Sequence, residues 1–303
     1  MALRGMEMSL ERCRTEDENL SETVTKLSST KGAGGVLDLF YEIWKLQLTL
    51  ENKRYSKVAR ILLAGTYGKF YADTGDDLWS HPFGPSVCDD VYAHIDRIGY
   101  RLPSKTKKQR CLAPHFDCCP KEMYSKSSLR WRPIQCMLAL AGGCEPEQGG
   151  FECVPGFHRE FQSYFDARTN IICVGDFIAV NAQLDKSLLH RFCHVPLKPG
   201  DAVFWDRRIP HASARTNTGT APRQVIYGGF LPRGAHLNRS YVHEQLLRLQ
   251  RREIQPDFWI HSTHCQQEFD QDDLASELLD WLQNISPHAQ HLLGMDGEVV
   301  QNE

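Results

Sequence analysis

The 303-residue sequence contains no run of about 18 apolar residues, and charge interrupts its first twenty positions every few residues. Neither a membrane span nor a secretory segment is expected. No charge sign dominates: 35 Lys and Arg face 38 Asp and Glu, a net charge of −3. A protein that coats phosphate backbones carries a basic surplus, so nucleic acid is not an expected partner. The 11 cysteines form no C-x-x-C pair, which argues against a zinc ribbon and a disulfide framework, and for buried thiols in a reducing compartment. No internal repeat occurs. The final Gln-Asn-Glu is not a peroxisomal signal of the S-K-L type, so a soluble, cytoplasmic protein is the expectation. With 41% hydrophobic residues the chain can bury a large core.

Residues 1–33 are polar and include Ser-Ser-Thr-Lys-Gly-Ala-Gly-Gly, so they read as a flexible leader with at most one short helix. From Val36 onward, Val36, Leu37, Phe40, Ile43, Trp44, Leu46, Leu48 and then Val58, Ile61, Leu62 follow helical spacing around a polar break at Asn52-Lys53. A further helix is expected over 85–99, where Val87, Val91, Ile95 and Ile98 recur at steps of three and four after Pro85-Ser86. Beyond residue 110 the texture turns to short runs of Phe, Ile, Val and Cys separated by Pro, Gly and Asn. Strands are predicted over 111–116, 134–140, 151–154, 171–180, 202–205 and 224–230, which suggests a sandwich or barrel. Helical period returns in 241–252 and 272–283, and the tail from Pro287 loses it. The expected organisation is the leader, one domain over 34–286 and a tail over 287–303. Within the domain lie a helical support (34–100), a β core (101–235) and C-terminal helices (236–286).

His-x-Asp is worth testing because residues i and i+2 of a strand share a face and can chelate one metal. Chance alone supplies about one such triplet in a chain of this composition, and two occur. His94-Ile95-Asp96 falls in the expected helix, where the two side chains diverge by roughly 200°, and reads as a solvated helix face. His115-Phe116-Asp117 ends a predicted strand after Pro114, which disfavours helix, so its geometry suits a metal.

Non-haem iron needs a second histidine. His211, in the loop after the predicted strand that ends at Trp205, is the leading candidate, with His158, His190 and His194 as rivals. Arg223 opens the next strand twelve residues later and can fork onto the far end of a dicarboxylate; Arg215 is its rival in the loop. Arg132 and Gln135 suit either a pocket lining or solvent. Lys105-Thr-Lys-Lys-Gln-Arg110 reads as a solvated loop or as a surface steering an anionic substrate, and Arg248, Arg251 and Arg252 take the same discount. Cys118 and Cys119 adjoin the motif, but adjacent thiols point apart on an extended chain and read as structural or oxidation-prone.

The ordered set Pro114-His115-Phe116-Asp117, Glu147–His158 and Lys198–Asn217, with Arg223 beyond, resembles the phytanoyl-CoA dioxygenase family of Fe(II)/2-oxoglutarate oxygenases over about residues 111–230. The resemblance implies a mainly β fold with flanking helices, a double-stranded β-helix (jelly-roll, cupin-like) core. It implies His115, Asp117 and His211 as iron ligands, Arg223 on the distal carboxylate of 2-oxoglutarate, and Ser213 assisting it. Fe(II) is the implied metal, with 2-oxoglutarate and O₂ as co-substrates. Halogenating relatives replace the carboxylate ligand with a small residue, and Asp117 is present, so hydroxylation is the expected reaction, with release of succinate and CO₂. The expected partner is a small-molecule or lipid-like substrate. An oxygenase acting on a protein or nucleobase and a non-catalytic binding module are the alternatives.

Overall fold

The computed structural model describes residues 2–29, 35–68, 81, 83–84, 87–104, 112–121, 128–214, 216–253, 255 and 272–296. In chain order these form α1 (Ala2–Arg12), α2 (Leu20–Lys26), β1 (Val36–Leu37), α3 (Ile43–Leu50), α4 (Lys53–Tyr67), β2 (Val91–Arg101) and β3 (His115–Phe116). There follow β4 (Ile134–Ala141), β5 (Phe151–Cys153), α5 (Phe161–Asp166), β6 (Ile178–Ala179), α6 (Lys186–Leu189), β7 (Cys193–Val195), β8 (Ala202–Asp206) and β9 (His211–Ser213). The chain continues with β10 (Arg223–Pro232), α7 (His236–Arg251), α8 (Asp272–Asn284) and α9 (Pro287–Leu292).

Among the described residues the strands make two five-stranded antiparallel sheets, β1-β2-β10-β4-β8 and β6-β3-β9-β5-β7. Their facing sides enclose Met137, Ala139, Phe151, Cys153, Trp205 and Val225, the interior of a jelly roll. The larger sheet is buried on both faces. Its outer face packs Val91, Ile95, Cys136 and Phe230 against Leu46, Leu63, Leu278 and Leu282 of the helices. Each fully buried aliphatic side chain there contributes on the order of 1.5–3 kcal/mol. Its strands therefore carry apolar residues on both faces rather than a strict alternation. The smaller sheet is covered by an aromatic cluster of Phe116, Phe157, Phe161 and Phe165.

The stretch 85–99 is the main correction: its described part carries strand β2, not a helix. A β-bulge explains the misleading period. Between the pairs Ile226↔Ile98 and Gly228↔Ile95, β2 advances three residues while β10 advances two. The extra residue lets Ile95 and Ile98 both face the helices although they are three apart. Apolar steps of four and three thus imitate a helix on a strand. His94 and Asp96 are consequently not a solvated helix face; His94 is buried on the strand.

Other expectations shift at element boundaries. Residues of the supposed flexible leader form α1 and α2, which bury Met6, Leu10, Val24 and Leu27 against Leu37, Ile98 and Tyr100. Val36 and Leu37 pair with β2 as a short strand, and helix begins at Ile43. The polar break at Asn52 is the N-cap of α4, its side chain accepting from the amides of Arg54 and Tyr55. The predicted strand 171–180 shrinks to Ile178–Ala179, and that over 111–116 to His115–Phe116, the latter with Cys111 outside the described residues. The tail opens with α9, capped by Ser286 with Pro287 in its first turn. Cys119 and Cys173 form a disulfide across 54 residues, an exception to the expected mostly buried thiols and in line with the oxidation-prone reading of Cys119. Lys105–Arg110 and Arg215 lie outside the described residues.

Candidate metal centre

Alternation on β3 turns His115 into the jelly roll and Phe116 outward, and Asp117 follows on the inner side. On β9, His211 is the direct cross-strand partner of His115, and the ring centroids stand 4.5 Å apart. Ligand-type atoms of His115, Asp117 and His211 lie within 4.8 Å of one another, and they form the group of this kind found among the described residues. His115 Nε2 is 3.4 Å from Asp117 Oδ1, and His211 Nε2 is 3.4 Å from Asp117 Oδ2.

Each imidazole is oriented by the backbone two residues before it. His115 Nδ1 lies 2.7 Å from the Ala113 carbonyl, and His211 Nδ1 3.0 Å from the Ile209 carbonyl. A carbonyl only accepts, so the proton sits on Nδ1 in both rings and both Nε2 lone pairs face the carboxylate. Phe177 stacks on His115 at 4.8 Å, while Trp205 and Phe151 flank His211 at 5.2 and 5.8 Å. Burial foremost lowers His115 to about 4, with the neighbouring His211 acting in the same direction and Asp117 opposing, so this ring is neutral near pH 7. Burial would raise the Asp117 carboxyl, but His115, His211 and a Gln135 hydrogen bond outweigh it and hold the group well below the usual carboxylate range. Two nitrogen lone pairs and one anionic carboxylate are the donor set suited to a non-haem Fe(II) centre.

By sequence Gln135 suits either a pocket lining or solvent, and the structure decides between them. It points inward and donates from Nε2 to Asp117 Oδ2 at 2.8 Å. Arg223 is 3% exposed at the start of β10. Its guanidinium reaches Ser213 Oγ at 3.3 Å and Met137 Sδ at 3.4 Å, and no ion pair to it occurs among the described residues. Ser213 and His211 share the inward face of β9 by two-residue spacing, which gathers hydroxyl, guanidinium and triad in one interior. The rival histidines stand elsewhere: His194 Nε2 lies 2.9 Å from the Cys144 carbonyl, His190 caps α6, and His158 sits in the single turn after Gly156. Arg248 pairs with Glu244 on α7, and Arg251 and Arg252 close the same helix. Nothing in the local sequence marks the two orienting carbonyls; they follow from the backbone path of the strand entries.

A family model for phytanoyl-CoA dioxygenase (PhyH) matches residues 69–225, more than half of the chain. The chain belongs to this family, and its function is of the dioxygenase type. A second family model, Gig2-like, matches residues 173–285. A comparison with curated proteins finds no match.

Among solved structures, the chain is similar to the GlcNAc-inducible gene 2 protein of Candida albicans: 14% identity, TM-score 0.64, covering 94% of this chain and 72% of that one. It is also similar to hypothetical protein JW0805 of Escherichia coli, with 15% identity and TM-score 0.62 over 97% of this chain and 76% of that one. These likenesses extend over nearly the whole chain and carry the fold. Among the described residues, no helix is long and apolar enough to cross a membrane.

Proposed function

We propose that the protein is an Fe(II)/2-oxoglutarate-dependent dioxygenase that hydroxylates a small-molecule substrate, with release of succinate and CO₂. The observation that carries this reading is the His115–Asp117–His211 group, with both Nε2 atoms 3.4 Å from one carboxylate. His115, Asp117 and His211 would hold the iron through Nε2, carboxylate and Nε2, leaving positions for a keto-acid and oxygen. When bound, the iron supplies the activation of O₂ and the oxidising power.

The chain's own residues supply the rest. Arg223, buried with only a hydroxyl and a thioether as described partners, suits the distal carboxylate of 2-oxoglutarate as a bidentate fork. Ser213 orients that fork and adds a hydroxyl donor. Phe151, Trp205 and Phe177 wall the imidazoles from water, which protects a reactive centre from side reactions. Gln135 holds one rotamer of Asp117 so that its second oxygen stays free of that bond.

The test is anaerobic titration of Fe(II) and 2-oxoglutarate, followed through the weak visible metal-to-keto-acid band. The expected result is a band in the wild type that is absent in His211→Ala and needs far more co-substrate in Arg223→Ala. A wild type that binds neither iron nor 2-oxoglutarate would make this a binding module on a retained scaffold.

A further inference from the structure

The larger sheet carries a charged slot directly beside the metal centre that the proposed chemistry does not use. Gln135, whose amide holds Asp117, pairs across β10 with Gly229, and Gly229 pairs with His94 on β2. The three residues form one row on one face. That face is the interior one, because Val225, Tyr227 and Gly229 alternate together and the first two pack between the sheets. Gly229 has a reason to be glycine: a Cβ there would stand 2.8 Å from Cδ and 3.4 Å from Nη1 of Arg132. The sheet thus leaves one side chain out of its row, and Arg132 lies in the gap.

Arg132 ends a chain of alternating charges. Asp38 accepts from Arg97 Nε at 2.7 Å. Asp96 accepts from the Arg97 amide at 2.8 Å, from its Nη1 at 3.4 Å, and from Arg132 Nη1 at 3.1 Å. Arg97 and Asp96 each have partners on two sides. Arg132 has one carboxylate oxygen on one Nη, and among the described residues its Nε–Nη2 edge makes no hydrogen bond. The side chain is 12% exposed.

The segment that bears Arg132 is held firmly. Asn238 of α7 is fully buried, accepts from the Trp131 amide at 2.7 Å and donates to the Trp131 carbonyl at 3.0 Å. Arg132 is therefore fixed at its backbone by α7, at its Cδ by the Gly229 gap and at one Nη by Asp96. A guanidinium preorganised with a vacant donor edge is built for an oxyanion.

We infer that the substrate carries an oxyanion, a carboxylate or a phosphate, that Arg132 binds through its Nε–Nη2 edge one strand away from Gln135. This rests on the oxygenase reading above and narrows it: the substrate is a small anionic molecule rather than a neutral lipid. Asp96 serves as the positioning residue for Arg132, and Gly229 as the residue that makes room for it.

The test separates this inference from the oxygenase reading by using no metal. In the Arg223→Gln background, which removes the arginine assigned to the keto-acid, inorganic phosphate and acetate are titrated separately by calorimetry. The expected result is saturable binding of one of the two, which identifies the oxyanion. Adding Arg132→Gln should weaken it roughly tenfold or more, as loss of a charge-assisted fork does. Gly229→Ala, which displaces the Arg132 stem, should weaken it less, and Arg132→Lys, which retains the charge but not the fork, should fall between. The two gentler variants keep the test valid if Arg132→Gln does not fold. Absence of saturable binding for both anions, or equal affinity in every folded Arg132 and Gly229 variant, would overturn the inference. Failure of the wild type to bind iron and 2-oxoglutarate would instead remove the oxygenase reading and leave the anion result standing.

Discussion

Gln135 Nε2 donates to Asp117 Oδ2 at 2.8 Å, the same oxygen that stands 3.4 Å from His211 Nε2. One amide on the larger sheet therefore sets the rotamer of a carboxylate that belongs to the smaller one. Partners of this kind typically account for about 10–100-fold in metal affinity. Gln135→Leu should weaken Fe(II) or Mn(II) binding by about that factor, measured by anaerobic calorimetry. Its circular dichroism should stay that of the wild type, since the leucine fills a similar volume.

Arg223 is a buried cation whose described partners are a hydroxyl and a thioether. Arg223→Gln should raise the 2-oxoglutarate concentration needed for half-saturation by one to two orders of magnitude, the equivalent of about 1.5–3 kcal/mol for a charged hydrogen bond. Metal affinity measured without the keto-acid should change little. Equal loss of both would place Arg223 in the scaffold instead.

Lys45 is buried, donates to the Leu39 carbonyl at 3.1 Å and also to the Asp96 carbonyl, and burial lowers its pKa to about 7. In the unfolded chain the same amine titrates near about 10.4. Between these values the unfolded state holds a proton that the folded state lacks, so stability rises with pH. From pH 7 to 8.5 this amine alone contributes a gain of about 1.5 kcal/mol. Cys88 and Cys136, pushed up to about 12 by burial, and Cys118 and Cys153, pushed up to about 11, act with the opposite sign once their unfolded thiols begin to ionise near about pH 8.5. Urea midpoints from about pH 7 to about pH 8 should rise in the wild type, and Lys45→Met should remove that rise.

Cys119 lies two residues after Asp117 and is bonded to Cys173, 54 residues away. Closing a loop of that length in the unfolded chain is worth up to about 4 kcal/mol. Alkylation of the denatured, unreduced protein should leave Cys119 and Cys173 unlabelled, and Cys173→Ser should lower the urea midpoint. Full labelling of both residues would show that the bridge is not formed.

The two His-x-Asp triplets separate what could be read in the chain from what could not. The sequence favours His115-Phe116-Asp117 because His94-Ile95-Asp96 has a helical period, whereas the structure places His94-Ile95-Asp96 on strand β2. Both triplets lie on or beside strands with His and Asp facing inward. Asp96 is instead committed to Arg97 and Arg132, and His94 to Tyr241 at 3.2 Å. Partners, and not secondary structure, distinguish them.

By itself the sequence determined the β texture after residue 110, the main strands 134–140, 202–205 and 224–230, the late helices, and the order of the residues that form the candidate centre. These are local signals: a two-residue alternation, a turn glycine and a proline before a strand act within a few positions. The tertiary structure alone decided that β2 is a strand, because a bulge merged two apolar sets into an apparent helical period. It also turned α1 and α2 into packed helices, since their apolar faces need Ile98 and Tyr100 from a distant strand to cover them. The roles of Gln135 and Arg132 were decided in the same way. Which face of a strand meets a carboxylate eighteen or thirty-six residues away is a property of sheet register, which no local pattern encodes.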